Sequence, residues 1–195
     1  MLSKAELDKL RADLLVESTM RDVHLRLYST WGTFSPREVD EGTDLLLRYI
    51  EVSETDDCLD LGCGYGPIGL TLAKLAPQGH TTLVDRDFIA VEYAQRNIQH
   101  NNITNADALL SNGFAQIRER QFDVIASNIP AKVGNEMLSL FLHDALQQLK
   151  PDGRLYVVTI NGLRDYMKRN FKEVFGNYKK LKQGKNYTVA MAEKN

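Results

Sequence analysis

The stretch Asp57-Cys58-Leu59-Asp60-Leu61-Gly62-Cys63-Gly64-Tyr65-Gly66-Pro67-Ile68-Gly69 decides the fold. Cys58, Leu59 and Leu61 suit a short buried strand, and Asp60 sets a charge near its end. Glycines then recur at alternate positions, Gly62, Gly64 and Gly66, so the backbone can turn sharply and lie against a ligand. Pro67 fits the first turn of a helix, where its missing N–H is not needed. Ile68, Leu70, Leu72 and Leu75 supply an apolar helix face, and Gly69 permits close packing of that helix on a strand. Strand, glycine turn and helix in this order predict a mononucleotide-type binding unit.

Two cofactors compete for that unit. Gly64-x-Gly66-x-x-Gly69 satisfies the dinucleotide fingerprint, and Asp85 lies about 20 residues on, as that fingerprint asks. Asp60-x-Gly62-x-Gly64-x-Gly66 resembles motif I of the class I S-adenosylmethionine (SAM) methyltransferases. The turn begins at Gly62, ahead of the dinucleotide register. Asp60 would repel a pyrophosphate but suits a ligand bearing an ammonium and a sulfonium. SAM is therefore the expected cofactor, with contacts at Asp60, Gly62, Cys63 and Gly64.

The 195 residues suggest one domain with room for a sizeable core. No apolar run approaches a membrane span, and the N-terminus lacks an apolar signal region, so the expectation is a cytoplasmic protein. Cys58 and Cys63 are the only cysteines, spaced neither as a redox pair nor as half of a zinc site. The histidines show no metal-like spacing, and no metal is expected. Net charge is −2, without the global basic signature of nucleic-acid binders. Charge is uneven, however. Between Arg164 and Lys185 eight Lys/Arg face only Asp165 and Glu173. Arg164, Lys168 and Lys172 recur every four residues, a basic stripe on a predicted helix. Such a stripe is either a solvated face or a polyanion contact.

Upstream, Ser3 and Glu6 form a capping box for an amphipathic helix expected over residues 3 to about 17, lying on the domain through Leu7, Leu10 and Leu14. Residues 21–28 alternate as a strand. Residues 38–50 return to helical spacing, with Gly42 and Thr43 interrupting the first turns and implying close approach of something to that backbone. Phe34-Ser35-x-x-x-Val39-Asp40-x-Gly42-Thr43-x-Leu45-Leu46 resembles the segment before motif I in the "methyltransferase small" family. That family includes ribosomal RNA guanine-N2 methyltransferases and short single-domain relatives. The resemblance implies that this segment folds over the methionine end of SAM, making Phe34, Asp40, Gly42 and Thr43 candidate contacts. It also implies ribose binding by Asp85, at the end of the strand 81–84, and places Asn112 in the adenine-side loop.

Residues 122–128 form a further strand ending in Asn128-Ile129-Pro130-Ala131, which resembles motif IV of amino-methylating relatives, Asn-Pro-Pro followed by a larger apolar or aromatic residue. The chemistry accounts for the motif. An exocyclic amine on a base has its lone pair delocalised into the ring. The Asn128 side-chain carbonyl and the Ile129 main-chain carbonyl can take its two N–H bonds and hold the nitrogen in line with the methyl. Asn128, Ile129 and Pro130 are the expected catalytic residues, and Asn128 is also an expected cofactor contact. Two departures stand out. Ile129 replaces the first proline, and Ala131 replaces the residue that stacks on a flipped base. A stacking platform would then come from Tyr65, Trp31 or Phe34.

The alternation of strands and helices predicts a doubly wound, Rossmann-like α/β domain. The resemblance makes it a seven-stranded, mainly parallel sheet with an antiparallel last strand, over residues 21–195, after a helical extension at 1–20. A duplicated N-terminal domain is not expected. The expected activity is SAM-dependent methylation of an exocyclic amine in structured RNA, guanine N2 of ribosomal RNA. The other readings are methylation of protein glutamine or a small-molecule amine, a non-catalytic SAM-binding module, and an NAD-dependent oxidoreductase.

Overall fold

The computed structural model of the chain describes residues 2–130 and 134–195. Helix α1 (Lys4–Arg11) carries the capping box foreseen at Ser3 and Glu6, but it ends at Arg11 and buries no residue. The helix expected to about residue 17 gives way to a strand from Leu14. Leu14–Met20 is strand β1, paired antiparallel with β2 (Val23–Ser29). The two-residue turn between them, Arg21-Asp22, has positive φ at both positions, the type I′ geometry that matches strand twist. Pairing along the whole of β1 outweighs the helical spacing of Leu7, Leu10 and Leu14. Leu7 and Leu10 stay exposed.

The main sheet follows. Helix α2 (Glu41–Tyr49) leads into β3 (Cys58–Leu61), α3 (Pro67–Leu75), β4 (Thr81–Asp85), α4 (Phe88–His100) and β5 (Ala106–Leu110). Then come β6 (Phe122–Asn128), α5 (Asn135–Gln148), β7 (Leu149–Ile160), a 3-10 turn, α6 (Arg164–Phe175), β8 (Lys179–Gln183) and β9 (Tyr187–Glu193). The seven strands lie in the order β5-β4-β3-β6-β7-β9-β8, and β9 alone runs against the others. The expected fold class is the one observed. Strand β7 starts earlier than Gly153, because the Lys150–Gly153 turn sits inside it as a register shift against β6.

Sheet residues alternate between two cores. Cys58, Leu83, Val124 and Val158 pack under α2, α3 and α4. Leu59, Val84, Ile125 and Val157 pack under α5 and α6. Both faces are dry, which is why these strands read as near-continuous apolar runs. Gly69 behaves as its position suggested: a Cβ there would stand 2.4 Å from Leu83. The hairpin attaches through two amides, one on α4 and one at its C-cap. Asn97 bonds the main chain of Tyr28 in both directions, and Asn101 does the same for Arg26. These side chains stand in for a neighbouring strand, satisfying backbone groups that would otherwise be orphaned.

Candidate active site

Four strand ends make one row. Asp60 pairs with Leu83 and Ala126, and Leu61 with Val84. Continuing that register by one or two residues sets Gly62 level with Asp85 on one side and Asn128 on the other. Leu110 pairs with Asp85 on the outer side. The strand order reverses between β4 and β6 around β3, so this row lies at the topological switch point, where open α/β sheets take their ligands.

The glycine turn splits into two functions. Gly62 and Gly64 have φ of +77° and +55°, and nothing lies within 4 Å of where a Cβ would stand. Their open side forms a cradle. At Gly66 the space a side chain would need is filled by Leu70 and then Leu83, and at Gly69 by Leu83. Gly69, which only the dinucleotide pattern includes, and Gly66, shared by both patterns, are thus packing glycines, whereas Gly62, which only the SAM pattern includes, faces open space beside the shared Gly64.

Asp60 is fully buried, not aimed into the cleft as a cation contact. Its Oδ2 accepts the Gly69 N–H at 2.7 Å. The N-cap of α3 is Gly66, which has no side chain to offer, so Asp60 caps that helix from the strand below. Its Oδ1 is buried with no partner among the described residues. Burial pushes this carboxyl up to about 7, with the Gly69 N–H working against the rise and Asp85 adding to it. Cys63 is buried too, and both its main-chain groups are engaged, the N–H on Val84 and the carbonyl by Gly66. Its thiol is pushed well up by burial. Cys63 builds the loop and offers the cleft no side chain.

Asp85 stands at the rim, accepting from Gly64 N at 2.9 Å and Asp87 N at 3.0 Å. Phe88 and Leu110, both exposed, flank it from α4 and β5. Sequence reasoning did not single them out, because one exposed apolar residue in a helix or strand carries no local signal. Asn112 is exposed in the turn after β5, ahead of Gly113 with φ of +59°.

The second half of the site is a hydrogen-bonded cluster around Asn128. Asp40 is the N-cap of α2, accepting from Gly42 N at 2.9 Å and Thr43 N at 3.3 Å. Helix α2 therefore begins at Glu41, not near Glu38, and Gly42 and Thr43 are its capped donors. The same Asp40 Oδ2 accepts from Asn128 Nδ2 at 2.9 Å, and Thr43 Oγ1 accepts from that amide at 3.0 Å. Asp40 Oδ1 accepts from the Tyr187 hydroxyl at 3.1 Å. Burial, then Asp40, raise the Tyr187 phenol above its ordinary range. A Cβ on Gly42 would meet Asp40 at 2.8 Å and the Tyr187 ring at 3.1 Å. The close approach implied at Gly42 is thus by protein groups. Tyr187 comes from β9, far along the chain, and nothing in its local sequence announces the contact.

Both amide hydrogens of Asn128 are engaged, so its orientation is set. Its Oδ1 makes no hydrogen bond among the described residues. Ile129 is buried and donates its N–H to Val158 O at 3.0 Å, a bond that proline could not make. The departure at this position lengthens the β6–β7 ladder by one rung. Pro130 is exposed, and Ala131 lies outside the described residues. Of the three aromatic platforms, Tyr65 is ruled out: it is buried, and its hydroxyl donates to Ser35 O and Glu38 O, pinning residues 35–38 to the glycine turn. Trp31 is covered on one face by the Arg37 guanidinium, 4.4 Å from the ring centroid. Phe34 is 67% exposed.

Residues 24–191 match the Methyltransferase small domain family. The chain belongs to that family. It has the Rossmann-like methyltransferase fold that the alternation of strands and helices foretold. It is 31% identical to the protein YbxB of Bacillus subtilis over 90% of this chain and 89% of that one. It is 35% identical to ribosomal RNA small subunit methyltransferase C of Pasteurella multocida over 69% of this chain and 42% of that one. Among solved structures, the 16S rRNA N2 G1207 methyltransferase RsmC of T. thermophilus, in complex with AdoMet and guanosine, superposes with a TM-score of 0.84 at 28% identity. The match covers 93% of this chain and 50% of that one. The chain spans about half the length of the ribosomal RNA methyltransferases it resembles.

Proposed function

We propose that this methyltransferase N-methylates an exocyclic amine of structured RNA, with guanine N2 of small-subunit ribosomal RNA as the target. The observation that carries this reading is the fixed amide of Asn128. Asp40 and Thr43 take its two hydrogens, so its carbonyl oxygen is the group left to accept from a substrate. An amine is the acceptor such an oxygen suits. The substrate named for RsmC supports the choice of guanine N2.

The cofactor fits the other half of the row. Gly62 and Gly64 offer open backbone, Asp85 has lone pairs for ribose hydroxyls, and Phe88 and Leu110 offer apolar faces for an adenine ring, with Asn112 at its edge. When bound, SAM supplies an electrophilic methyl. The protein's part is positioning. Asn128 Oδ1 accepts one N–H of the amine, and the Ile129 carbonyl the other, holding the nitrogen lone pair toward the methyl. Charge that develops on nitrogen is met by preorganised dipoles rather than by water. No strong base is needed before attack, because the proton leaves after the carbon–nitrogen bond forms. Phe34 is the exposed aromatic on the pinned loop and serves as the stacking platform that Ala131 does not provide.

Calorimetric titration with SAM, S-adenosylhomocysteine and NAD, on wild type and Asn128→Ala, tests the reading. The expected result is binding of both adenosyl ligands, none of NAD, and an Ala variant that binds SAM as wild type does but transfers no methyl to small-subunit RNA. An Asn128→Ala enzyme with full turnover contradicts it.

A further inference from the structure

The basic stripe on α6 does not stand alone. It forms one wall of a groove of about 480 Å³, whose other wall is the start of β8. Arg164, Lys168 and Lys172 line it from the helix, Tyr178 from just before the strand, and Lys180 from the strand. Asp165 is the one acid in the lining, and it is paired with Arg164 at 3.1 Å. Lys168, Lys172 and Lys180 form no salt bridge among the described residues. Tyr178 gives the groove an aromatic floor, its ring packed on Phe171 with centroids 5.9 Å apart.

The groove's place matters as much as its charge. Helix α6 starts just past the end of β7, and Val158 of β7 pairs with Asn128. The Arg164 end therefore opens on the side of the sheet that carries the active site. From there the lysines recur at one-turn intervals, about 6 Å apart along the helix axis. Edge-strand lysines also discourage pairing with another sheet, which accounts for Lys179 and Lys182. It does not account for Lys168 and Lys172 converging on Lys180 across a groove.

We propose that this groove binds the sugar–phosphate backbone of the RNA substrate, on the segment leading away from the methylated nucleotide. The proposal rests on RNA being the substrate. Three lysines that form no salt bridge among the described residues, in line behind the paired Arg164, fit a line of phosphates, and they fix register without reading sequence. Arg164 is the contact nearest the site, and the lysines follow the strand outward. Base selection stays with Asn128 and Phe34. The groove adds affinity and orientation.

The test is fluorescence anisotropy of a labelled RNA stem–loop from the small subunit, titrated with wild type, with Lys168→Glu/Lys172→Glu/Lys180→Glu, and with a control reversing Lys4, Lys9 and Arg11 on α1. A triple Lys→Gln variant of the groove guards against misfolding of the Glu form. The expected result is a loss of at least tenfold in RNA affinity for both groove variants. The slope of log Kd against log salt should fall by about 2 to 3, near one for each lost phosphate contact. The α1 control should keep wild-type affinity and slope. Groove variants that bind RNA as wild type does overturn the proposal, as does a control that loses as much as they do. An acidic protein as the true occupant would give the first of those results. SAM calorimetry and methyl transfer, run beside it, separate the two claims. RNA held through the groove but never methylated contradicts the reaction and leaves the groove standing. Methylation with an unchanged KM after reversal does the opposite.

Discussion

Asn128 donates from Nδ2 to Asp40 Oδ2 at 2.9 Å, across 88 residues of sequence. A carboxylate only accepts, so this contact dictates which end of the amide faces the protein and which faces the cleft. By this geometry Asp40 orients the Asn128 amide, and its proposed role is that of a positioning residue, where the family resemblance implied a cofactor contact. Asp40→Asn keeps an N-cap for α2 but no longer forces the amide orientation. The expected outcome is a fall in kcat on the order of 10- to 100-fold with SAM affinity nearly unchanged. Steady-state kinetics beside SAM calorimetry checks it. A loss confined to SAM affinity would return Asp40 to the cofactor side.

The glycine turn yields a paired prediction. Gly69→Ala forces a methyl onto Leu83 and is expected to destabilise the fold by about 1–3 kcal/mol through overpacking. Gly62→Ala meets no neighbour, so its folding penalty is only the left-handed backbone, about 1–2 kcal/mol. Its methyl projects into the cradle, however, and SAM affinity should fall at least tenfold. Denaturant melts and SAM titration of both variants distinguish the roles. Equal SAM affinity in Gly62→Ala and wild type would deny the cradle.

Asp60 makes stability depend on pH in an unusual direction. An unfolded Asp ionises at about 4, and the folded one at about 7. Between those values the unfolded state binds fewer protons, so stability falls as pH rises, by a total on the order of 4 kcal/mol from this group. Below the unfolded value the term is absent, and above the folded value it is constant. Asp60→Asn lacks it. Melting temperatures from pH 4 to pH 8 should show wild type losing ground to Asp60→Asn across that window and running parallel above it. Parallel curves throughout would mean the carboxyl is not raised.

Phe34 carries the prediction about the base. Stacking on an aromatic ring contributes about 1–3 kcal/mol per base. Phe34→Ala should therefore raise KM for RNA by roughly 5- to 150-fold by that range, while leaving SAM affinity and the melting temperature alone. Competition assays with guanosine on both forms measure the same term without the rest of the RNA.

The central strands of the main sheet were legible because both their faces are buried, and Cys58–Leu61, Thr81–Asp85 and Phe122–Asn128 each stand out as mainly apolar or β-branched runs. The glycine register was legible for a related reason, since open backbone and packed backbone demand the same residue at different spacings. What the sequence hid was long-range. Strand β1 continues the leucine spacing of α1, and only its partner β2 makes it a strand. The N-cap at Asp40 was locally readable, but its grip on Asn128 and Tyr187 needed three distant elements to meet. Asp60 was correctly marked as a strand-end acid, yet its burial under α3, which turns it from a ligand contact into a helix cap, follows from packing. Ile129 shows the reverse case. Its departure from the motif's proline adds a ladder bond to Val158.

The most direct measurement is nucleoside mass spectrometry of small-subunit ribosomal RNA after incubation with the enzyme and SAM bearing a deuterated methyl group. The account predicts a deuterated N2-methylguanosine, formed by wild type and absent with Asn128→Ala. Deuterium on a ring carbon or a ribose oxygen, or N2-methylguanosine formed equally by both enzymes, would contradict it.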